Sequence, residues 1–152
     1  MLRSLVGSEM CIRDSFDIDP NCASIAEIFN KKWIMQDWKF KASTANIHNI
    51  NWKSHTYDTL RSNGSTCSLT DYPDTIINTS CEHIENFEAW FKNIPTGKLI
   101  VLQSNNYFEI KEHVNCSASL EDFSNSCPMT VTLYEGELDL NKYKRFMKIG
   151  YR

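Results

Sequence analysis

The sequence has no run of five or more lysines and arginines, and its formal net charge is −3. A protein that grips a phosphate backbone carries a dense positive stripe, so nothing here points to a nucleic-acid partner. No apolar run approaches the roughly 20 residues that span a bilayer, so no membrane association is expected. Six cysteines stand at 11, 22, 67, 81, 116 and 127, with no C-x-x-C pair among them. No histidine lies at the short spacing of a zinc site, and no metal is expected. No signal peptide opens the sequence either, so the cysteines are expected as free thiols in a cytoplasmic protein. The three Asn-x-Ser/Thr triplets at Asn63, Asn78 and Asn115 then read as coincidences of a chain rich in these residues.

What is present is ordinary for a globular chain. Hydrophobic residues make up 41% and charged residues 23% of 152 residues, enough for one domain with a real core. The opening stretch, Met1 to Ser15, has neither helical nor strand periodicity. Residues 5–15, LVGSEMCIRDS, resemble the translated remnant of a sequencing adapter, a scar found at the ends of assembled environmental and transcriptomic genes. Residues 1–15 are therefore expected to be a non-native segment, disordered or irregular, and residues 16–152 the domain. The other reading is a genuine, poorly ordered N-terminal arm.

From Phe16 onward, strand-like and helix-like segments alternate. Phe16–Asp19 reads as a strand end, after which Asp19 can cap a helix with Pro20 in its first position. Cys22, Ile25, Ala26, Phe29 and Trp33 recur at helical spacing. Lys39–Ala45 reads as a second strand. The polar stretch 46–72 offers only a weak helical segment around Trp52–Leu60 and a turn at Asn63-Gly64-Ser65. Thr75–Asn78 is a short strand, and Ile84, Phe87 and Phe91 mark a helix. Lys98–Gln103 is an apolar run suited to a central strand, and Leu120–Phe123 suggests a further helix. Two strands, Thr130–Glu137 and Arg145–Tyr151, close the chain with no helix between them, which implies an antiparallel hairpin.

Three motifs carry chemistry. Phe-Asp-Ile-Asp-Pro at 16–20 places a carboxylate at a strand tip, where it can accept two hydrogen bonds from a ribose diol. The same two acids also suit a strand end and a helix cap, and both readings stay open from the residues alone. Asp74-Thr-Ile-Ile-Asn-Thr-Ser-Cys-Glu-His-Ile84 is a strand, a loop and a Glu-His pair at a helix start. Pro95-Thr-Gly-Lys-Leu-Ile-Val-Leu102 is a turn running into a strand. In order and spacing the three motifs resemble those of class I, Rossmann-like S-adenosylmethionine-dependent methyltransferases, over roughly residues 16–152.

That resemblance implies a mostly parallel α/β sheet with helices on both faces and a C-terminal antiparallel hairpin, lacking the first strand and helix. The family's glycine-rich first loop would lie upstream of Phe16, so the chain is expected to be an N-terminally truncated fragment. By the match, Asp17 holds the cofactor ribose, Ile18 packs on the adenine and Asp19 is mainly a cap. Asn46 and Ile47 stand where the family contacts the adenine, although Asn46 replaces the usual acid. Asn78, Thr79 and Ser80 face the methionine part of S-adenosylmethionine. Glu82, His83, Asn105, Tyr107 and His113 become candidates for facing the substrate, with His83 as a general base. For Glu82 the plainer role is a favourable charge at a helix start, and for His83 a structural one.

The chain lacks the Asn/Asp-Pro-Pro-Tyr and Pro-Cys motifs of DNA-methylating enzymes, which disfavours a DNA base as target; a small molecule is the expected substrate. Two further readings remain: another Rossmann-like nucleotide enzyme, such as an NAD-dependent one, and a non-catalytic cofactor-binding module. Oligomeric state and methyl acceptor are not legible.

Overall fold

The computed structural model describes residues 13–37, 39–60 and 64–152. Backbone contacts divide the chain into two compact units, Met1–Ile50 and Asn51–Arg152.

In the first unit, strand β1 (Arg13–Asp17) runs into helix α1 (Pro20–Phe29), a second short helix α2 (Lys31–Asp37) and strand β2 (Phe40–Thr44). The strands pair in parallel, Arg13 opposite Phe40 through Asp17 opposite Thr44. The strand thus reaches back to Arg13, three residues into the segment set aside as a scar; Met1–Ile12 lie outside the described residues. Local chemistry sets the breaks. Asp19 caps α1 by accepting from Asn21 N at 2.9 Å, with Pro20 at the first helical position. Asn30 ends the helix by donating both its backbone N–H and its side-chain amide to Ala26 O, and α2 restarts from the Asn30 carbonyl. The apolar stripe expected on α1 splits in two. Cys22 and Ala26 are half-buried, whereas Ile25, Phe29 and Trp33 are exposed. A sheet of two strands covers only the small residues of the helix.

The second unit begins with an antiparallel hairpin, β3 (His55–Leu60) and β4 (Thr66–Asp71), where the sequence suggests a weak helix. Cross-strand side chains fix it: Thr56 and Thr70 hydroxyls meet at 2.8 Å, and Tyr57 donates its hydroxyl to Asp71 at 2.9 Å. A four-stranded sheet follows, ordered β5 (Thr75–Asn78), β6 (Leu99–Asn105), β8 (Lys144–Tyr151), β7 (Val131–Asp139). β5 and β6 are parallel, while β8 runs antiparallel to both β6 and β7.

Helix α3 (Phe87–Asn93) links β5 to β6, and α4 (Leu120–Ser126) lies between β6 and β7. Phe87, Trp90 and Phe91, three and four residues apart, give α3 one buried face. With Ile76, Ile84, Ile94, Ile100, Leu102, Phe123 and Phe146 they form the core. Each large side chain there contributes roughly 1.5–3 kcal/mol over its exposed state. Two polar groups complete it. Lys148, almost fully buried, donates its ammonium to Ser124 O at 2.9 Å at the end of α4. Cys127 is wholly buried nearby, and burial pushes its thiol from 9.0 up to about 11, against the lowering charge of Lys148.

The single, mostly parallel sheet with helices on both faces is not what forms. The described residues make three separate sheets of two, two and four strands, with four helices, and only β1–β2 and β5–β6 are parallel. Strand–helix alternation dictates each local β-α-β crossover, and both crossovers do form. It does not dictate which strands of different crossovers share a ladder, and the polar stretch between them closes on itself as β3–β4. No helix among the described residues is long and apolar enough to cross a membrane. The described cysteines, 22, 67, 81, 116 and 127, are free thiols.

Candidate functional site

Candidate residues gather at the carboxyl ends of the two parallel strand pairs. In the first unit Asp17 is the last residue of β1, and its exposed carboxylate accepts from Asp19 N at 2.8 Å. The side chain therefore sits on a tight Asx turn just ahead of the α1 cap. The Asp17 carbonyl also accepts from Ala45 N at 2.8 Å, which ties the tips of β1 and β2 together. Ser15, Asp17, Cys22 and Ser43 line a notch of about 110 Å³ between the strands and α1. That is well under the roughly 300 Å³ at which small-molecule pockets begin, so the notch suits one hydroxyl-bearing edge of a ligand. Partial burial, and then the charges of Asp17 and Asp19, raise the Cys22 thiol above its ordinary value.

Ile18 is 70% exposed beside the notch. Asn46 caps a 3-10 turn, Ile47–Asn49, by accepting from His48 N at 2.9 Å. Its amide oxygen keeps a second lone pair for a donor such as an amino group. Ile47 is half-buried in that turn.

The second group is denser. Asn78 ends β5 and its side chain accepts from Ser80 N at 2.9 Å, turning the chain through exposed Thr79 and Ser80. A 3-10 turn, Cys81–His83, follows. Glu82 in this turn is only 3% exposed, so it does not serve as a solvent-facing charge at the start of α3. Its Oε1 accepts from Asn105 Nδ2 at 2.7 Å and lies 3.5 Å from the Arg145 guanidinium. Its Oε2 is buried with no hydrogen-bond partner, as is Arg145 Nε. Arg145 also donates to Thr79 O at 3.0 Å.

The loop after β6 closes over this turn. Asn115 donates its backbone N–H to Glu82 O at 2.9 Å and its amide to Cys81 O at 3.0 Å. Asn105 Oδ1 accepts from Tyr107 N at 2.9 Å and from the Cys116 thiol at 3.3 Å. Burial, then the Glu82 charge, raises the Cys116 thiol.

The two histidines complete the cluster. His83 Nδ1 is 3.0 Å from Glu112 O, and His113 Nδ1 is 2.7 Å from Tyr107 O. A carbonyl oxygen only accepts, so both Nδ1 atoms are the donors, and in the neutral ring Nε2 is the nitrogen with the lone pair. The rings meet edge to face, with centroids 4.7 Å apart. Tyr107 contacts His113 edge-on and stacks on Tyr143 at 5.2 Å. A Glu82 carboxylate oxygen and one ring nitrogen from each histidine lie within 4.8 Å of one another.

The structure thus brings Glu82, His83, Asn105, Tyr107 and His113 into one cluster. It places Asn78, Thr79 and Ser80 on the loop leading into it, and puts Asp17, Ile18, Asn46 and Ile47 together in the first unit. Sequence reasoning missed Arg145, Asn115, Cys116 and Tyr143. Arg145 is recognisable only through the antiparallel register that sets it opposite Asn105. A wider cleft of about 500 Å³, lined by Phe91, Lys92, Asn125, Pro128 and Arg152 among others, holds none of the candidate residues. Its lining includes the Glu88–Lys92 ion pair and Arg152, whereas the orphaned buried carboxylate makes the smaller cluster the candidate site. Neither a family model nor a curated protein matches the chain.

Proposed function

We propose that this chain carries the cofactor-binding and acceptor-facing parts of an S-adenosylmethionine-dependent methyltransferase acting on a small molecule. The observation that carries the reading is Asp17. Its exposed carboxylate stands at the carboxyl end of a parallel strand pair, on a notch beside the start of α1. A carboxylate there accepts from both hydroxyls of a ribose, and the carboxyl edge of parallel strands is where nucleotide ligands sit. Ile18 offers the apolar surface for a base and Asn46 an acceptor for its amino group.

The second support is the cluster beyond β5 and β6, the corresponding edge of the other parallel pair. It combines a buried carboxylate, two imidazoles held through Nδ1 by backbone carbonyls and stacked tyrosine rings. Methyl transfer from a sulfonium is an in-line displacement: the acceptor atom bonds to the methyl carbon as the carbon–sulfur bond breaks, and sulfur leaves as a neutral thioether. Catalysis is then mostly positioning. The acceptor's proton needs a base, and the His83 Nε2 lone pair is the candidate.

The test is a calorimetric titration with S-adenosylmethionine and, separately, NAD, using the wild type and Asp17→Ala. Loss of two hydrogen bonds to a charged acceptor, each worth about 1.5–3 kcal/mol, predicts at least a tenfold weaker S-adenosylmethionine affinity in the variant. The reading fails if S-adenosylmethionine does not bind, or binds the variant equally well. NAD binding in its place would favour a dinucleotide enzyme, and binding without turnover on an acceptor panel a non-catalytic module.

A further inference from the structure

The buried oxygen of Glu82 lacks a partner that the surrounding chain is otherwise careful to supply. Oε1 has Asn105 and Arg145, the backbone of the turn has Asn115, and Oε2 has nothing. A desolvated carboxylate oxygen in that position is destabilising unless something meets it. Close to this carboxylate stand the two histidines, whose Nδ1 atoms both donate to backbone carbonyls. This is the arrangement that metal-binding imidazoles use: one nitrogen donates to a carbonyl, which fixes the tautomer and turns the other lone pair toward the ion.

We infer that Glu82, His83 and His113 form a binding site for one divalent first-row transition-metal ion of the zinc or iron type. Two imidazoles and one carboxylate are the donor set such ions prefer, with positions left over for water or substrate. One carboxylate oxygen of Glu82 and one ring nitrogen of each histidine already lie within 4.8 Å of one another. Bonds of about 2.0–2.2 Å draw tetrahedral ligands to roughly 3.3 Å separations, so the triad closes by about 1.5 Å at its widest pair. His83 is exposed and Glu82 sits in a single 3-10 turn, which leaves room for that adjustment. Arg145 and Asn105 hold Oε1 while the ion takes Oε2, so the guanidinium orients the ligand from the outer shell.

The inference adds to the methyltransferase reading without depending on it. It also constrains it, because one His83 nitrogen cannot hold an ion and accept a proton at the same time.

The experiment is titration of metal-stripped protein with Co²⁺, read by visible absorption, and with Zn²⁺, read by calorimetry. One ion per chain is expected. Outer-shell substitutions alone weaken metal sites by 10–100-fold, so Glu82→Gln, His83→Asn and His113→Asn should each lower affinity by at least about tenfold. His83→Asn alters an exposed side chain and keeps the fold testable even if Glu82→Gln does not, with circular dichroism as the check. Absence of binding, affinity unchanged in the three variants, or a thiolate-to-cobalt charge-transfer band showing cysteine ligands would each overturn the site. None of these outcomes bears on S-adenosylmethionine binding, so the two readings fail separately.

Discussion

Asn105 donates its side-chain amide to the Glu82 carboxylate at 2.7 Å, joining the tip of β6 to the turn that follows β5. The same asparagine accepts from Tyr107 N and from the Cys116 thiol, so one amide organises three segments. Asn105→Ala should therefore lower stability by about 1–3 kcal/mol, because it leaves a buried charge with Arg145 as its main partner. A urea unfolding midpoint measures this, and an unchanged midpoint would mean that the bond contributes nothing.

Cys22 reports on Asp17. Partial burial, and then the neighbouring carboxylates, hold this thiol above its ordinary range. Asp17→Asn removes one of those charges, lowers the Cys22 pKa and increases its thiolate fraction at pH 8. Alkylation of Cys22, followed by peptide mass spectrometry, should run faster in the variant. Equal rates would place the Asp17 charge too far from the thiol to matter.

Cys127 gives a pH dependence with a definite sign. Its folded value of about 11 lies above the unfolded value of 9.0, so the unfolded chain loses the proton first as pH rises. The folded state is favoured fully below pH 9, and the contribution is lost between about 9 and 11. A shift of this size corresponds to roughly 2–3 kcal/mol. Stability curves of wild type and Cys127→Ala should diverge in slope across that window; parallel curves would remove the assignment. At pH 8 the native protein should leave Cys127 unmodified by a disulfide reagent until it is unfolded.

Gly150 lies in β8 opposite Thr132, beside the irregularity between Thr132 and Tyr134. A Cβ there would collide with the Val131 carbonyl oxygen, a backbone atom that cannot rotate away. Gly150→Ala should cost about 1–3 kcal/mol, the usual range for overpacking, and show as a lowered thermal midpoint. Gly97→Ala is the useful contrast. Open space surrounds that position, so its penalty comes from the positive φ of 84° alone.

Much of the secondary structure was legible because its causes are local. Asp19 with Pro20, the Phe87/Trp90/Phe91 face and the apolar run of β6 each specify an element within a few residues. The β3–β4 hairpin was misread as weakly helical because its pairing rests on Thr56–Thr70 and Tyr57–Asp71, partners 14 residues apart. The single sheet failed for a related reason: ladders between distant strands depend on relations that no short window contains. At the site, the family resemblance named Glu82, His83, Asn105, Tyr107 and His113, and the fold brings these five side chains together. The resemblance missed Arg145, whose place follows from the register of an antiparallel strand, and it gave no hint that Glu82 would be buried.

The order of strands in the four-stranded sheet has a consequence for assembly. β7 precedes β8 in the chain, yet it reaches the sheet solely through β8, which lies between it and β6. A ribosome therefore delivers Val131, Leu133 and Tyr134 before the strand that will hold them. In that interval β6 has a vacant edge beside it and β7 has nowhere to dock. Closure waits on the final eight-residue strand, and with it comes Arg145, so the sheet and the Glu82 cluster are completed by the same stretch of polypeptide.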